Sequence, residues 1–258
     1  MLAALTPPEY EVRLVSEAVH EIPYDEPWDL VGITTMGSGI VGSWRIADEF
    51  RRRGRQVVLG GIGATLLGEA GSRAHADSVV LGEAEELWTQ VLADFGAGRP
   101  QPVYRAARPP SLEQLPVPRY DLLDRRKLGQ WLPVQATRGC PFTCDYCSVT
   151  SFFGQRYRKR PVAEVVRDVR AAKRQGVRRI AFIDDNIAVD WDYCAALWEA
   201  LIPERITWMS QCSLHLADRP ELLRLARRSM SGRPAMWSEL WLIHAIRSGM
   251  SASQSAVQ

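Results

Sequence analysis

The sequence predicts an α/β protein assembled from two parallel sheets in series. Three observations lead there. Short apolar runs alternate with helically spaced ones from Asp29 to Gly98, the rhythm of a parallel, doubly wound sheet. A stretch carrying Pro100, Pro102, Pro109, Pro110, Pro116 and Pro118 follows. Three further β-α units then run from Trp131 to Ser229, which predicts a barrel-like parallel sheet.

The elements are read in order. "EVRLVSEAV" and "DLVGITT" have the look of short buried strands. "GSWRIADEFRRRG" has helical apolar spacing at Trp44, Ile46, Ala47 and Phe50 and stops at Gly54. "QVVLGG" and "ADSVVLGE" are strands ending in glycine, and "EAEELWTQVLADFGAG" is a helix. "RPQPVYRAARPPSLEQLPVPRYDLLD" reads as an extended linker, because proline fixes φ and removes a donor. "WLPVQATRGC" is a strand running into a cysteine loop. "RPVAEVVRDVRAAKRQG" is a helix with Pro161 in its first turn, one apolar face at Val162, Val165, Val166, Val169 and Ala172, and a stop at Gly176. Strand "VRRIAFIDD", helix "DWDYCAALWEALI" capped by Asp190, strand "ITWMSQCSL" and helix "RPELLRLARRS" complete the series. The expected organisation is an α/β domain over 1–105, a proline-rich linker over 106–132, a three-unit β-α segment over 133–229 and an atypical tail over 230–258.

Bulk properties exclude some functions. Of the 258 residues 46% are apolar, enough for a real core, and the net charge of +2 gives no nucleic-acid footprint. The run "FRRRGR" reads as a solvated helix end. The five cysteines are an odd number with three clustered, unlike the even, spread set of a secreted disulfide framework. A reducing, cytoplasmic location is therefore expected. No apolar run reaches about 18 residues, so no transmembrane helix is expected. "MLAALTPPEYEV" lacks the flank and cleavage site of a signal peptide.

Cys140, Cys144 and Cys147 are spaced C-x3-C-x2-C within "ATRGCPFTCDYCSVTSFFG". Thiolates hold iron–sulfur clusters. On a four-iron cubane, three cysteines leave one iron open as a binding position. A structural zinc site needs a fourth ligand, from Cys194, Cys212 or a distant histidine, and a plain electron-transfer cluster also wants a fourth thiolate. Both readings stand beside the open cluster.

"RGCPFTCDYC" resembles the signature of the radical-SAM enzymes. The resemblance implies a [4Fe-4S] cluster on the three cysteines, with the open iron chelating S-adenosylmethionine and reduction yielding a 5′-deoxyadenosyl radical. Tyr146 then lies near the adenine, where its plainer reading is loop packing. "FIDDN" is the second point of resemblance: Asp184 and Asp185 accept hydrogen bonds from the cofactor's ammonium, or simply form a polar strand-to-helix turn. Arg158 and Arg160 either hold a carboxylate or phosphate or solvate a helix entrance. Cys194 reads as core, and His215 follows the third strand where barrel enzymes place site residues. No residue is assigned a catalytic role.

The run from Asp29 to Trp88 resembles the cobalamin-binding domain that precedes the barrel in one large radical-SAM subfamily. The fold this implies is a Rossmann-like (flavodoxin-like) cobalamin-binding domain followed by a partial (β/α) radical-SAM barrel. Gly60, Gly61 and Gly82 then approach the cobalamin, with Gly37, Ser38, Gly39 and the "LGE" of Leu81 to Glu83 on the same edge. Two departures appear: Gly63 stands where the subfamily often shows histidine, and no D-x-H-x-x-G offers an axial ligand to cobalt.

Both ends depart as well. Met1 starts within the helix "LAALTPPEY", after the point where the family has a first, central strand. Beyond Ser229 the tail "MSGRPAMWSELWLIHAIRSGMSASQSAVQ" replaces the expected fourth strand, and a frameshift or truncation near Ser229 is expected. In the tail Trp237, Leu240, Trp241 and His244 could form an amphipathic turn pair. The function implied is reductive cleavage of S-adenosylmethionine with cobalamin-dependent methyl transfer or rearrangement at an unactivated carbon of a small-molecule substrate. An external electron donor of the flavodoxin or ferredoxin type goes with it. A non-catalytic cluster- or cobalamin-binding module and a zinc-binding interaction protein are the alternatives.

Overall fold

The computed structural model describes residues 1–231. They form two compact units: Met1–Lys127 with Cys144–Gly154, and Leu128–Thr143 with the chain from Gln155 onward. The expected turn pair at Trp237, Leu240, Trp241 and His244 lies outside the described residues.

In the first unit the chain runs α1 (Leu2–Leu5), β1 (Leu30–Thr34), α2 (Ile40–Arg52), β2 (Gln56–Gly60), α3 (Gly61–Ser72), β3 (Ser78–Leu81), α4 (Trp88–Gly96) and β4 (Val103–Arg105). The short α5 (Arg125–Leu128) follows, and α6 (Val149–Phe153) belongs with this unit. The four strands are parallel, ordered β1-β2-β3-β4, with Leu30 opposite Gln56 and Thr34 opposite Gly60.

Successive strand residues point to opposite faces. Val57 and Leu59 therefore join Ala47 and Phe50 of α2 and Ala64 of α3 in one core cluster. Val58 joins Trp88, Val91 and Leu92 of α4 and Tyr104 of β4 in another. Helices thus cover both faces, as the unbroken apolar runs of β2 and β3 require. Helix α2 carries Arg51 and Arg52 in its last turn, where cations complement the helix dipole, and stops at Gly54 with φ +76°.

Three expectations are corrected here. "EVRLVSEAV" is not a strand: among the described residues no ladder pairs with it, β1 is the edge of the sheet, and Leu14 is left exposed. A single extended segment without hydrogen-bonded neighbours is not held as a strand. The helix read over "LAALTPPEY" is only Leu2–Leu5, because Pro7 and Pro8 supply no N–H and bias the preceding backbone away from the helix. The stretch read as linker opens with strand β4, paired to β3 through Val79 and Val103, and buries Leu112, Leu115 and Tyr120 further on.

The second unit runs β5 (Trp131–Val134), β6 (Thr137–Arg138), β7 (Arg158–Lys159), α7 (Val162–Arg174), β8 (Arg179–Phe182), α8 (Trp191–Leu201), β9 (Thr207–Met209) and α9 (Pro220–Arg228). Strands β5-β8-β9 form a parallel sheet in that order, while β6 and β7 make a short antiparallel ladder. Leu132, Val134, Ile180, Phe182 and Trp208 are buried, as are Val165 and Val169 of α7, Leu197, Trp198 and Leu201 of α8, and Leu222 of α9. Trp198 stacks on Trp208 with centroids 5.8 Å apart. On the alternate strand positions Pro133, Ile183 and Met209 are exposed, so the helices cover one face of this sheet. Asp190 caps α8, accepting from the Tyr193 amide at 2.9 Å.

Candidate functional site

Loops leaving the C-terminal ends of parallel strands converge on one edge, which is where α/β proteins build sites. In the second unit β5 leads into Gln135–Cys140, β8 into Ile183–Asn186 and β9 into Ser210–Ser213. The β6–β7 ladder, pairing Thr137 with Lys159 and Arg138 with Arg158, closes the base of the cysteine loop.

Three consecutive residues after β8 grip the segment leading to Cys140. Asp184 is 2% exposed; its Oδ1 accepts the Ala136 amide at 3.0 Å, the Thr137 hydroxyl at 2.7 Å and the Thr137 amide. Its Oδ2 is buried with no hydrogen-bond partner among the described residues. Burial pushes this carboxyl up to about 6, against the opposing pull of the Thr137 and Ala136 bonds. Asp185 Oδ2 accepts the Gly139 amide at 3.1 Å, and burial raises its pKa too. Gly139 has φ +82°, a conformation open to glycine at no steric cost, and it turns the chain into Cys140. Asn186 Nδ2 meets Cys140 Sγ at 3.8 Å.

Two half-buried tyrosines brace the same loops. Tyr157 donates its hydroxyl to Ile187 O at 2.9 Å, and Tyr193 donates to Arg160 O at 2.8 Å. Burial raises the pKa of both phenols, so they stay protonated donors. Arg160 neither solvates a helix entrance nor faces a ligand site. Its side chain is 1% exposed and pairs with the equally buried Asp168 at 2.8 Å, while Nη1 donates to Gln135 O at 2.9 Å. Arg158 lies in β7 and is partly buried.

All five cysteines are free thiols. Cys140 belongs to the second unit and Cys144 and Cys147 to the first, where the Cys147 amide donates to Cys144 O at 3.0 Å in a tight turn. Among the described residues no group of three Cys, His, Asp or Glu side chains is gathered as a metal site. Tyr146 is 92% exposed, and the neighbouring Cys144 sulfur raises its pKa. Cys194 is fully buried, donates to Ile187 O at 3.0 Å, and is pushed up to about 12 by burial. A thiol so sealed is core and makes a poor fourth zinc ligand. His215 stacks on Phe142 of the cysteine loop, centroids 5.3 Å apart.

In the first unit Gly60, Gly61 and Gly82 sit at the C-terminal ends of β2 and β3. They differ in purpose. A Cβ on Gly61, whose φ is +91°, would lie 2.8 Å from Thr34 Oγ1 and from Thr35 O, so this glycine lets α3 start against the end of β1. Gly63 is similar, 2.9 Å from Met36 O. A Cβ on Gly60 would have ordinary contacts at 3.6 Å. Gly82, with φ +88°, and Gly37 and Gly39 face open space. Met36 and Leu67, on the loop and helix that follow β1 and β2, are exposed apolar side chains.

Reading the sequence singled out Asp184 and Asp185 but passed over Asn186, Thr137 and Ser213, which complete the network. "FIDDN" closing a predicted strand was the available signal for Asn186; Thr137 and Ser213 act through long-range contacts that no local pattern marks.

A parallel β/α sheet whose first strand feeds a three-cysteine loop is the architecture of a radical SAM domain. Residues 134–233 match the radical SAM superfamily. It is 29% identical over 238 residues to bacteriochlorophyllide d C-12(1)-methyltransferase of Chlorobaculum tepidum, covering 89% of this chain and 52% of the relative. It is 33% identical over 216 residues to bacteriochlorophyllide d C-8(2)-methyltransferase of the same organism, covering 78% of this chain and 47% of the relative. Its fold is similar to that of the radical S-adenosylmethionine methyltransferase TsrM from Kitasatospora setae. The structure of TsrM with tryptophan and a SAM analog superposes with a TM-score of 0.62 at 18% identity, covering 78% of this chain and 47% of that one. The structure with cobalamin and a [4Fe-4S] cluster gives 0.59 at 19% identity, covering 78% and 48%. The chain spans about half the length of the curated relatives it matches. Among the described residues no helix is long and apolar enough to cross a membrane.

Proposed function

We propose that this chain is the cofactor-binding part of a cobalamin-dependent radical SAM methyltransferase. Cys140, Cys144 and Cys147 would hold a [4Fe-4S] cluster through three irons and leave the fourth for S-adenosylmethionine. The observation that carries the reading is three free thiols on the loop after the first strand of a parallel sheet, within the segment that matches the superfamily. When bound, the cluster supplies an electron to S-adenosylmethionine and cobalamin supplies a transferable methyl group.

The chain's own residues prepare this. Asp184 and Asp185 fix residues 136–139 and so aim Cys140. Exposed Tyr146 offers a ring to the adenine. The open edge at Gly82, Gly37 and Gly39, with Met36 and Leu67, is the proposed cobalamin seat, and Gly60 and Gly61 end the strand beside it. Methyl transfer, rather than rearrangement, is favoured by the names of the relatives. A small-molecule substrate, an external flavodoxin- or ferredoxin-type electron donor and a cytoplasmic location complete the proposal. Domain limits of 1–105, 106–132 and 133–229 go with it, the last being the partial (β/α) barrel.

The test is anaerobic reconstitution with iron, sulfide and cobalamin, followed by counting of each. Four irons and four sulfides per chain are expected, lost when all three cysteines become alanine. Zinc bound in place of iron and sulfide would overturn the reading in favour of an interaction protein. A non-catalytic module is favoured by the sheet face left exposed at Pro133, Ile183 and Met209. Formation of 5′-deoxyadenosine by the reduced, loaded protein separates it from the enzyme.

A further inference from the structure

We infer that Asn186 is a positioning residue that donates a hydrogen bond to the Cys140 sulfur and raises the reduction potential of the iron–sulfur group which that sulfur holds. The inference rests on the cluster reading above and adds to it a residue with a defined electronic role.

The orientation of the Asn186 amide follows from its other partner. The Ser213 backbone N–H lies 3.0 Å from Asn186 Oδ1. A backbone N–H can only donate, so the amide oxygen must face it. The –NH₂ end is thereby turned toward Cys140 Sγ at 3.8 Å, within reach for a sulfur acceptor. Asn186 is 3% exposed, so its amide is shielded from bulk water. The residue is also fixed from both sides along the chain. Asp185 Oδ2 accepts the Gly139 amide at 3.1 Å, and the Ile187 amide donates to Gln211 O at 3.0 Å. Asn186 therefore spans the loops after β5, β8 and β9 with a two-sided amide, and the stacking of His215 on Phe142 joins the same first and third loops.

The chemical consequence is directional. A donor aimed at a ligand sulfur stabilises negative charge there. Reducing a cluster adds negative charge, so each such hydrogen bond favours the reduced state. In a low-dielectric setting the effect is enhanced. Leucine or alanine in place of Asn186 would leave Cys140 able to ligate while removing that stabilisation.

The experiment compares wild type, Asn186→Ala and Asn186→Asp, each reconstituted anaerobically, with iron and sulfide counted and the midpoint potential read by redox titration of the electron paramagnetic resonance signal. Asn186→Asp keeps an oxygen facing the Ser213 amide and loses the donor to sulfur, so it preserves the loop contact if the alanine variant folds poorly. Unchanged iron and sulfide with a more negative potential in the variants, most negative in Asn186→Asp, is expected. Variants loaded like wild type and titrating at the wild-type potential would overturn the inference while leaving the cluster reading intact. A wild-type chain that takes up no iron and sulfide would overturn the cluster reading itself.

Discussion

Thr137 and Asp184 meet side chain to side chain, the threonine hydroxyl donating to the carboxylate Oδ1 at 2.7 Å. The same oxygen accepts the Ala136 amide at 3.0 Å, so a single carboxylate joins the segments leaving β5 and β8. Its partner oxygen is buried without a hydrogen bond from the described residues.

That arrangement has a pH signature. Burial pushes Asp184 up to about 6, above the roughly 3.9 of an unfolded aspartate. The folded state then keeps a proton that the unfolded state releases. The resulting stabilisation is complete below about pH 4 and is lost as pH rises to about 6. Relative to Asp184→Asn, wild type should lose on the order of 2 kcal/mol of stability between about pH 4 and pH 7. Urea unfolding across that range measures it, and parallel curves for the two proteins would contradict it.

The buried pair of Arg160 and Asp168, 2.8 Å apart, makes a second prediction. Removing Asp168 leaves the buried guanidinium with only the Glu164 carboxylate at 3.7 Å to pair with among the described residues and should cost about 3–5 kcal/mol, whereas removing Arg160 leaves Asp168 its pair with Arg167 at 3.0 Å and should cost less. Replacing both, as Arg160→Met with Asp168→Leu, should recover much of the loss. Denaturant midpoints of the two single variants and the double variant form the cycle, and a double variant less stable than either single one would speak against the account.

Gly61 and Gly82 separate fold from ligand. Gly61→Ala forces a Cβ to 2.8 Å from Thr35 O at φ +91°. That clash adds to the roughly 1–2 kcal/mol of a left-handed L-residue, so thermal stability should fall clearly. Gly82→Ala, at φ +88° in open space, carries only the backbone cost. Its larger effect should appear in cobalamin retention, read from the absorbance of the gel-filtered complex.

Helix α8 tests the capping argument. Asp190 Oδ1 accepts the Tyr193 amide at 2.9 Å, and its other oxygen pairs with Lys159. Asp190→Ala should lose about 1 kcal/mol, whereas Asp190→Ser should recover most of it by restoring the cap acceptor. Equal losses in the two would assign the effect to the lysine pair instead.

Much of this was legible locally. Helices α2, α7 and α8 follow from apolar spacing with terminal glycine or aspartate, because capping and amphipathicity are properties of neighbouring residues. The cysteine spacing likewise marked the candidate site. What failed depended on partners distant in sequence. "EVRLV" has strand composition yet no ladder to join, and β4 forms amid prolines because β3 offers it one. Arg160 looked like a surface cation until Asp168, two helical turns on, enclosed it. Asn186 became informative only when the loop after β9 supplied Ser213 to orient its amide.

Cys194 gives the molecule a silent witness. Its sulfhydryl is sealed in the core and occupied by Ile187 O at 3.0 Å, so an electrophilic label reaches it when α8 peels away from its sheet. The rate at which that one position becomes modified therefore clocks global opening, independently of whatever the cysteines of the surface loop are holding.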